Sequence, residues 1–368
     1  MKTHVYPRGA DRWVVVVELG KHPETGKRKQ KWVTVRGTKR EAHAKATELA
    51  HKVETGQYME PSKITLADWL EQWLAQYVSV DVSPASARSY REAAAFWIKR
   101  LGPTPLAALT PLKVQVILST EVKEFSAATL RHPLLVLRKA MKQAVGVDLI
   151  YRDPTQGARP PRQDHRAVQT ADVDTLQKIA AAAEGTRWHL PILLAINTGM
   201  RRGEVLGLRW RDVNLDGSYC QVESSYGNEG GLGPVKTSGS LRQVPLPLRT
   251  VQALRAERKV QAELKLYLGK GYHDQDLVCC NERGDFLKPN SLSRAFRGFA
   301  DAAGTTIPFH GLRHSHVTLL LAAGINAKVV QERVGHSDPG FTLAKYASVI
   351  PTMQCEAIEK WEDLLEKC

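Results

Sequence analysis

Hydrophobic positions follow two different periods along the chain, and the first is that of β-strands. Residues 12–20 and 28–37 are rich in β-branched and aromatic side chains and flank a loop with Pro, Thr and Gly, which predicts a hairpin. Residues 38–56 continue with helical spacing behind the capping-box sequence "TKRE". We therefore predict an N-terminal module over residues 1–58, a three-stranded sheet plus a helix.

The second period is helical and begins near residue 65. Residues 65–78 place apolar side chains on one stripe, and Ser83 before Pro84 is a typical helix start. Further amphipathic stretches with short loops predict an all-α helical domain over residues 62–152. The members of the first stripe are Leu66, Trp69, Leu70, Trp73 and Leu74.

The remaining chain is predicted to be a linker followed by a mostly α domain. Residues 153–166 are rich in Pro, Arg and Gly, which favours a linker. Residues 167–350 are mainly helical, with short β-type runs and turns at 216–246 that predict an inserted small sheet, and 351–368 form an amphipathic helical tail. The predicted fold class is multidomain and mainly α.

The charge of the chain changes the picture, because it is unevenly distributed. The formal net charge is +14; residues 1–60 hold 13 basic and 7 acidic side chains, 61–163 hold 14 and 8, and 164–368 hold 25 and 23. The first 163 residues thus carry +12 of the total. Such a field favours a polyanion such as nucleic acid, although basic surfaces also serve solubility. The predicted DNA-binding residues of the hairpin are Lys27, Arg28, Lys29 and Lys31, with a solvated basic hairpin as the alternative.

Cysteine usage and hydropathy indicate a reducing compartment. The five cysteines form no CxxC pair and are odd in number, which favours reduced thiols. No run of eighteen or more apolar residues occurs, and the N-terminus lacks a signal-peptide pattern. We expect a cytoplasmic protein without a membrane partner.

The stretch "PFHGLRHSHV" raises the question of a metal site. His310 and His314 are four residues apart, the spacing of a zinc-binding pair on a helix. Gly311 stands where a zinc hydrolase has its glutamate, and Arg313 would place a positive charge beside the ion. We therefore expect no metal, and His314 and His316 are expected to pack or to lie near DNA.

The same stretch suits a phosphate better. His310 and Arg313 are three residues apart and share a helical face, and Arg201 follows an apolar helix where the chain turns. Arginine offers a planar fork for phosphate oxygens, and histidine can exchange a proton near neutral pH. Together with a nucleophile, these groups would stabilise a pentavalent phosphorus without a metal. Arg202, next to Arg201, is predicted to be a surface or DNA-backbone contact.

Several motifs occur in a fixed order. A Thr-Gly-x-Arg box with a following Gly-Glu precedes a hairpin lysine, a His-x-x-Arg box, a Gly-His dipeptide and a tyrosine. This ordered set resembles the tyrosine recombinase (phage integrase) family over residues 165–350. More loosely, the front half resembles the arm-type DNA-binding module and helical core-binding domain of integrases. The matching residues are Arg201, Glu204, Lys236, His310, Arg313, His336 and Tyr346.

The resemblance implies a role for each matching residue. Tyr346 would be the nucleophile that forms a 3′-phosphotyrosyl link, and Lys236 the general acid for the leaving 5′-oxygen. Arg201 and Arg313 would clamp the scissile phosphate, and Glu204 would support this arrangement. His310 would help to take the tyrosine proton, and His336 would form a hydrogen bond to the phosphate.

The resemblance also implies the partners. They are double-stranded DNA with core-type and arm-type sites, a homotetramer on that DNA, and accessory DNA-bending and directionality proteins, with no cofactor and no ATP. The implied location is the nucleoid of a bacterial host, and the tail 351–368 would dock on a neighbouring protomer. The alternatives are a type IB topoisomerase, a telomere resolvase, or a DNA-binding protein that has lost catalysis.

Overall fold

Helices and two sets of small sheets make up the chain, which confirms the predicted mainly α class. The structure divides into two compact units, residues 1–164 and 165–368. No helix of the described chain is long and apolar enough to cross a lipid bilayer. This computed structural model describes residues 3–9, 11–21, 28–54, 63–162, 169–228, 231–234, 241–335 and 361–362.

The first unit begins with a sheet covered on one face by a helix. Strands β1 (Thr3–Pro7), β2 (Arg12–Lys21) and β3 (Arg28–Arg36) are antiparallel and lie in chain order. Alternate residues of β2 point towards helix α1 (Lys39–Glu54) and form a small core with it. The "TKRE" sequence makes the predicted capping box: the Thr38 amide donates to the carboxylate three residues on at 2.7 Å, and the return bond is 3.3 Å.

A helical bundle makes up the rest of the first unit. Four residues of the predicted stripe are buried along α2, and Leu74 is half-buried in the turn that follows. Two tryptophans bind α6: Trp69 Nε1 of α2 donates to Ala140 O at 3.0 Å, and Trp97 Nε1 of α4 donates to Pro133 O at 2.8 Å. Ser83 caps α4 as predicted, since its hydroxyl accepts the amide of Ser86. The helices are α2 (Leu66–Trp73), α3 (Ser79–Asp81), α4 (Pro84–Leu101), α5 (Pro111–Glu121) and α6 (Ala127–Gly146), with a π-helical turn at Leu74–Val78.

The stretch predicted as a linker starts as part of this bundle. Thr155 and Ala158 are buried. Arg138 Nη2 donates to the carbonyl of Ala158 at 2.6 Å, and the amide of Arg159 donates to Gln115 Oε1 at 2.8 Å. The Pro and Gly residues here form a packed turn. Composition alone therefore did not distinguish a packed turn from a flexible linker.

The second unit has one large apolar core among its helices and a smaller apolar cluster between α12 and α13. Helix α12 packs against α8, and α13 packs against α12. The described helices are α7 (Val173–Ala182), α8 (His189–Thr198), α9 (Arg202–Leu206), α10 (Leu248–Leu268), α11 (Pro289–Ala302), α12 (Phe309–Ala322) and α13 (Ala327–Val334).

The predicted β insertion is present as two antiparallel sheets. One has three strands in the order β4-β5-β8, and the other pairs β6 with β7. Cys220 pairs with both Val213 and Val244, so the three-stranded sheet turns a buried row towards the core. The strands are β4 (Val213–Asn214), β5 (Tyr219–Val222), β6 (Ser224–Tyr226), β7 (Leu232–Pro234) and β8 (Arg242–Pro245).

Candidate active site

Arg201 lies in the turn between α8 and α9. The apolar helix α8 is buried and ends at Gly199, whose φ of +65° is in the left-handed region. A Cβ on Gly199 would lie 2.7 Å from Cδ2 of His316, so the position requires glycine for space as well as for conformation. The chain then extends, and Arg201 becomes the N-cap residue of α9. The Thr-Gly-x-Arg sequence thus fixes the position of the Arg201 side chain in this turn.

Glu204 holds Arg201 from inside the protein. The Glu204 side chain is 3% exposed; Oε1 accepts from Arg201 Nη1 at 2.7 Å, and Oε2 accepts the Arg201 amide at 2.9 Å. Burial raises the pKa of the Glu204 carboxyl, but the hydrogen bond and charge of Arg242, together with those of Arg201, outweigh burial and hold the pKa below its usual value. Glu204 is therefore an anion at neutral pH, and it fixes the orientation of Arg201.

Arg201 and His310 meet at one cavity. The cavity has a volume of about 600 Å³, and both residues line it. The side chain of Arg201 is 39% exposed, and His310 at the start of α12 is also exposed. The ring of His314 packs edge-on against that of His310, with centroids 4.7 Å apart. The cavity therefore presents a guanidinium and an imidazole together. Its further polar lining residues are Arg202, Ser225, Ser293, Arg297, Asp301 and Thr306.

Arg313 lies deeper than its partner in the His-x-x-Arg box. It is 2% exposed, and its Nη1 donates to the carbonyl of Gly199 at 2.8 Å. The two residues share a helix, but only His310 is among the residues that line the cavity. Arg313 is thus tied to the same turn that carries Arg201.

Arg202 faces protein acceptors at the edge of the cavity. Its Nη1 donates to Ser293 Oγ at 2.6 Å and to Pro289 O at 3.2 Å, and its Nη2 donates to Asn228 Oδ1 at 3.2 Å. Burial lowers the pKa of Arg202 from its usual value. These hydrogen bonds hold the Arg202 side chain against the protein, while its predicted contact with DNA stays a prediction.

Three of the predicted catalytic residues lie outside the described residues. They are Lys236, His336 and Tyr346. Their predicted roles therefore stay predictions. Within the described ranges, no group of three or more His, Cys, Asp or Glu side chains is arranged to hold a metal ion.

Two arginines that sequence reasoning missed belong to the hydrogen-bond network near the turn that carries Arg201. Arg242 on β8 is 6% exposed, and its Nη2 donates to Glu204 Oε2 at 2.7 Å. Arg333, in the last turn of α13, donates from Nε to His316 Nε2 at 3.0 Å and from Nη2 to Asn197 O at 2.9 Å. One signal was available: Arg242 has the same strand parity as the buried Val244. An arginine on the inward side of a strand needs a buried partner.

His316 belongs to this network and does not lie on an open surface that would face DNA. Because its Nε2 accepts from Arg333, its Nδ1 bears the proton and donates to Ile196 O at 2.8 Å. Burial and the adjacent Arg333 cation lower the pKa of His316 to about 4. His316 is therefore neutral at physiological pH and serves packing, one of the two roles expected for it.

The basic residues of the N-terminal hairpin are spread over both faces of the sheet. Lys31 shares the α1 side with Val33, whereas Arg28 lies on the other side, 3.9 Å from Glu18. Lys27 lies outside the described residues, and the Lys29 side chain does not belong to the described part. The open face instead carries aromatic residues: Trp32 is 63% and Tyr6 49% exposed.

Comparisons with known proteins agree with this architecture. The phage integrase family matches residues 167–352. The chain is 27% identical to a tyrosine recombinase XerC-like protein of Caldanaerobacter subterraneus subsp. tengcongensis, over 99% of both chains. It is 29% identical to an integrase of Streptomyces ambofaciens, over 94% of this chain and 92% of that one.

Two solved structures share the fold. The lambda integrase tetramer bound to a Holliday junction has a TM-score of 0.61 at 21% identity and covers 93% of this chain and 94% of that one. The Tn1549 transposon integrase in complex with transposon right end DNA has a TM-score of 0.67 at 18% identity and covers 80% of this chain and 99% of that one.

The chain belongs to the phage integrase family, since the family match spans half of its length. It is a site-specific recombinase of the tyrosine recombinase class, which confirms the predicted class of enzyme. The arm-binding role of the N-terminal module stays a prediction.

Proposed function

We propose that the chain cuts and rejoins double-stranded DNA through a 3′-phosphotyrosyl intermediate, in the integration or excision of a phage or mobile element. The observation that carries the proposal is the meeting of Arg201 and His310 at one cavity, with Arg201 held by the buried Glu204. A fixed guanidinium beside an imidazole suits a phosphodiester, because the first matches two phosphate oxygens and the second can exchange a proton.

The proposed chemistry exchanges one phosphodiester for another. The hydroxyl oxygen of Tyr346 attacks phosphorus and gives up its proton with the help of His310. The bond from phosphorus to the 5′-oxygen breaks, and Lys236 protonates that oxygen. The reverse reaction, with the 5′-hydroxyl of a partner strand, restores the DNA backbone. Because the energy of the phosphodiester is kept in the phosphotyrosyl bond, the exchange needs neither ATP nor a metal.

The two arginines of the proposed clamp have different surroundings. Arg201 reaches the cavity directly, while Arg313 is buried and holds the carbonyl of Gly199. We assign to both the stabilisation of the negative charge on the non-bridging oxygens, and to His336 a hydrogen bond to the phosphate. Preorganised donors of this kind act where the charge develops.

The domain organisation is proposed to follow the division of labour in integrases. Residues 62–152 would bind core-type DNA together with the catalytic domain 167–350, and residues 1–58 would bind arm-type DNA. Exchange of four strands requires four active sites, so we propose a homotetramer on DNA, with DNA-bending and directionality proteins as accessory partners. The tetramer seen for lambda integrase on a Holliday junction supports this assembly. The tail 351–368 is proposed to dock on a neighbouring protomer.

The open face of the N-terminal sheet is the proposed arm-site surface. Trp32 and Tyr6 are exposed there, and Arg12 pairs with Arg36 across the neighbouring strands. Aromatic and basic side chains together suit a nucleic-acid surface. In the full chain, Trp32→Ala should weaken binding to one of two DNA classes selected from a randomised duplex pool. Tyr267→Ala, at an 86% exposed position in the second unit, is the control. Equal binding by the two variants would contradict the arm-site assignment.

A covalent-adduct assay tests the catalytic proposal. The full chain first selects its core sequence from a randomised duplex pool, and the selected duplex is then nicked beside the cleavage position and incubated with protein in EDTA. We expect a protein–DNA adduct that is absent for Tyr346→Phe. Binding without an adduct would favour a protein that has lost catalysis, and a requirement for magnesium would indicate a metallonuclease. Relaxation of plasmid DNA without strand exchange would indicate a topoisomerase.

A further inference from the structure

Arg242 and Arg201 share one buried carboxylate. Oε2 of Glu204 accepts both the Arg201 amide at 2.9 Å and Arg242 Nη2 at 2.7 Å. The side chains of Glu204 and Arg242 are 3% and 6% exposed, whereas that of Arg201 is 39% exposed. Arg201 thus reaches the cavity, whereas Arg242 contacts the same carboxylate from the buried interior.

Arg242 also holds the end of α13. Its Nε donates to the carbonyl of Arg333 at 2.8 Å. Two residues later α13 stops at Gly335, whose φ is +67°, and a Cβ there would lie 3.1 Å from Arg242 Nη1. The carbonyl of Gly335 accepts from Arg201 Nη2 at 3.0 Å. The turn that leads into His336 is therefore fastened by both arginines.

We infer that Arg242 is a positioning residue for DNA strand cleavage, because it joins the carboxylate that orients Arg201 to the turn from which the chain continues to His336 and Tyr346. The inference rests on the proposed function. Among the described residues, Arg242 acts on Arg201 through Glu204 and on the turn at Gly335 through the backbone of α13. It also lies at the start of β8, the strand that follows Lys236 in the chain.

The position requires an arginine rather than any cation. The Nε and Nη2 atoms of one planar guanidinium reach two acceptors on different elements, Arg333 O and Glu204 Oε2. A lysine has the same charge, but its single nitrogen on a flexible stem lacks this fixed fork. Arg242→Lys therefore keeps the charge and loses the geometry, while Arg242→Met removes both and leaves Glu204 paired with Arg201.

The test is single-turnover adduct formation by the full chain on the nicked duplex described above, at saturating DNA. For Arg242→Lys and Arg242→Met we expect the rate constant of adduct formation to fall by about 10²-fold, the order of loss that a misplaced reacting group produces. DNA affinity, measured by fluorescence anisotropy, should stay within about twofold, because Arg242 is buried away from the cavity. The control is Arg255→Ala, which removes an arginine that is 56% exposed and pairs with Asp216, and which should leave rate and affinity unchanged.

The readout separates positioning from stability. A variant that is partly unfolded loses adduct amplitude, while the rate constant of its folded fraction is unchanged; melting curves of each variant report that fraction. Unchanged rate constants in both Arg242 variants, with or without lost amplitude, would overturn the inference and leave the proposed function intact. If the wild-type chain forms no adduct on DNA that it binds, the proposed function fails and the inference fails with it.

Discussion

Removal of the Glu204 carboxylate should loosen the second unit around the active site. Glu204→Ala deletes the acceptor of three hydrogen bonds and leaves the 6% exposed Arg242 cation without its carboxylate. Breaking a buried ion pair by removing one partner costs about 3–5 kcal/mol, because the remaining charge stays buried. Glu204→Gln should cost less, since its amide oxygen can still accept two of the three bonds.

Amide hydrogen exchange is the suitable assay for this change. Since the chain holds two compact units, a melting curve reports both of them together, whereas hydrogen exchange reports local opening around α9 and α13. About 1.4 kcal/mol corresponds to a tenfold change in an equilibrium constant, so Glu204→Ala should raise the exchange rates of peptides from α9 and α13 by roughly two to four orders of magnitude. The Gln variant should fall between wild type and Ala.

The control for Glu204 is another glutamate of the same unit. Glu223 is 53% exposed and lies 3.8 Å from Arg209, so Glu223→Ala should change stability by no more than about 0.5 kcal/mol. If Glu204→Ala raises exchange no more than Glu223→Ala does, the buried carboxylate does not hold α9 and α13 together, and the reasoning is refuted.

Two further changes test the packing around the site. The pKa of His316 is lowered to about 4 in the folded chain, so the unfolded chain binds more protons as the pH falls from about 6.5, and stability should drop by at most about 1.4 kcal/mol per pH unit. His316→Gln should remove this slope in pH-dependent hydrogen exchange of α12, and an unaltered slope would contradict the assignment. Gly203→Ala should destabilise by about 1–3 kcal/mol, because its Cβ would lie 2.9 Å from Tyr226 O, whereas Gly298→Ala, with open space around it in α11, should stabilise by up to about 1 kcal/mol. Equal melting temperatures of the two glycine variants would contradict the close approach of β6 to α9.

Much of the local structure was predictable because its causes are local. The capping box at Thr38, the apolar stripe of α2 and the start of α4 at Ser83 depend on neighbours within a few residues. The π-helical turn at Leu74–Val78 was not predicted, since one helical period continues through it in the sequence. The depth of Arg313 was also not predictable from its spacing, because it depends on the turn at Gly199, which is remote in the chain.

The contacts of the site could be predicted only in part. The ordered motifs indicated Arg201, Glu204 and His310, because the family pattern fixes their residue types. Arg242 and Arg333 were missed because their partners are far away in sequence: Glu204 Oε2 for the first, Asn197 O for the second. The first pairing arises when β8 packs near α9, and the second when α13 packs near the end of α8, so the local spacing of residues along the chain does not indicate them.

The bond between Arg201 Nη2 and the carbonyl of Gly335 connects the proposed phosphate-binding residue to the C-terminal turn of α13. If a bound phosphate changes the hydrogen bond from Arg201 to Gly335, then by thermodynamic reciprocity the state of that turn changes the affinity for phosphate by the same factor. A bound DNA backbone would therefore influence the segment that follows α13 through one shared hydrogen-bond donor, without a larger rearrangement. Hydrogen exchange in α13, measured with and without a bound phosphodiester, reports the size of this coupling directly.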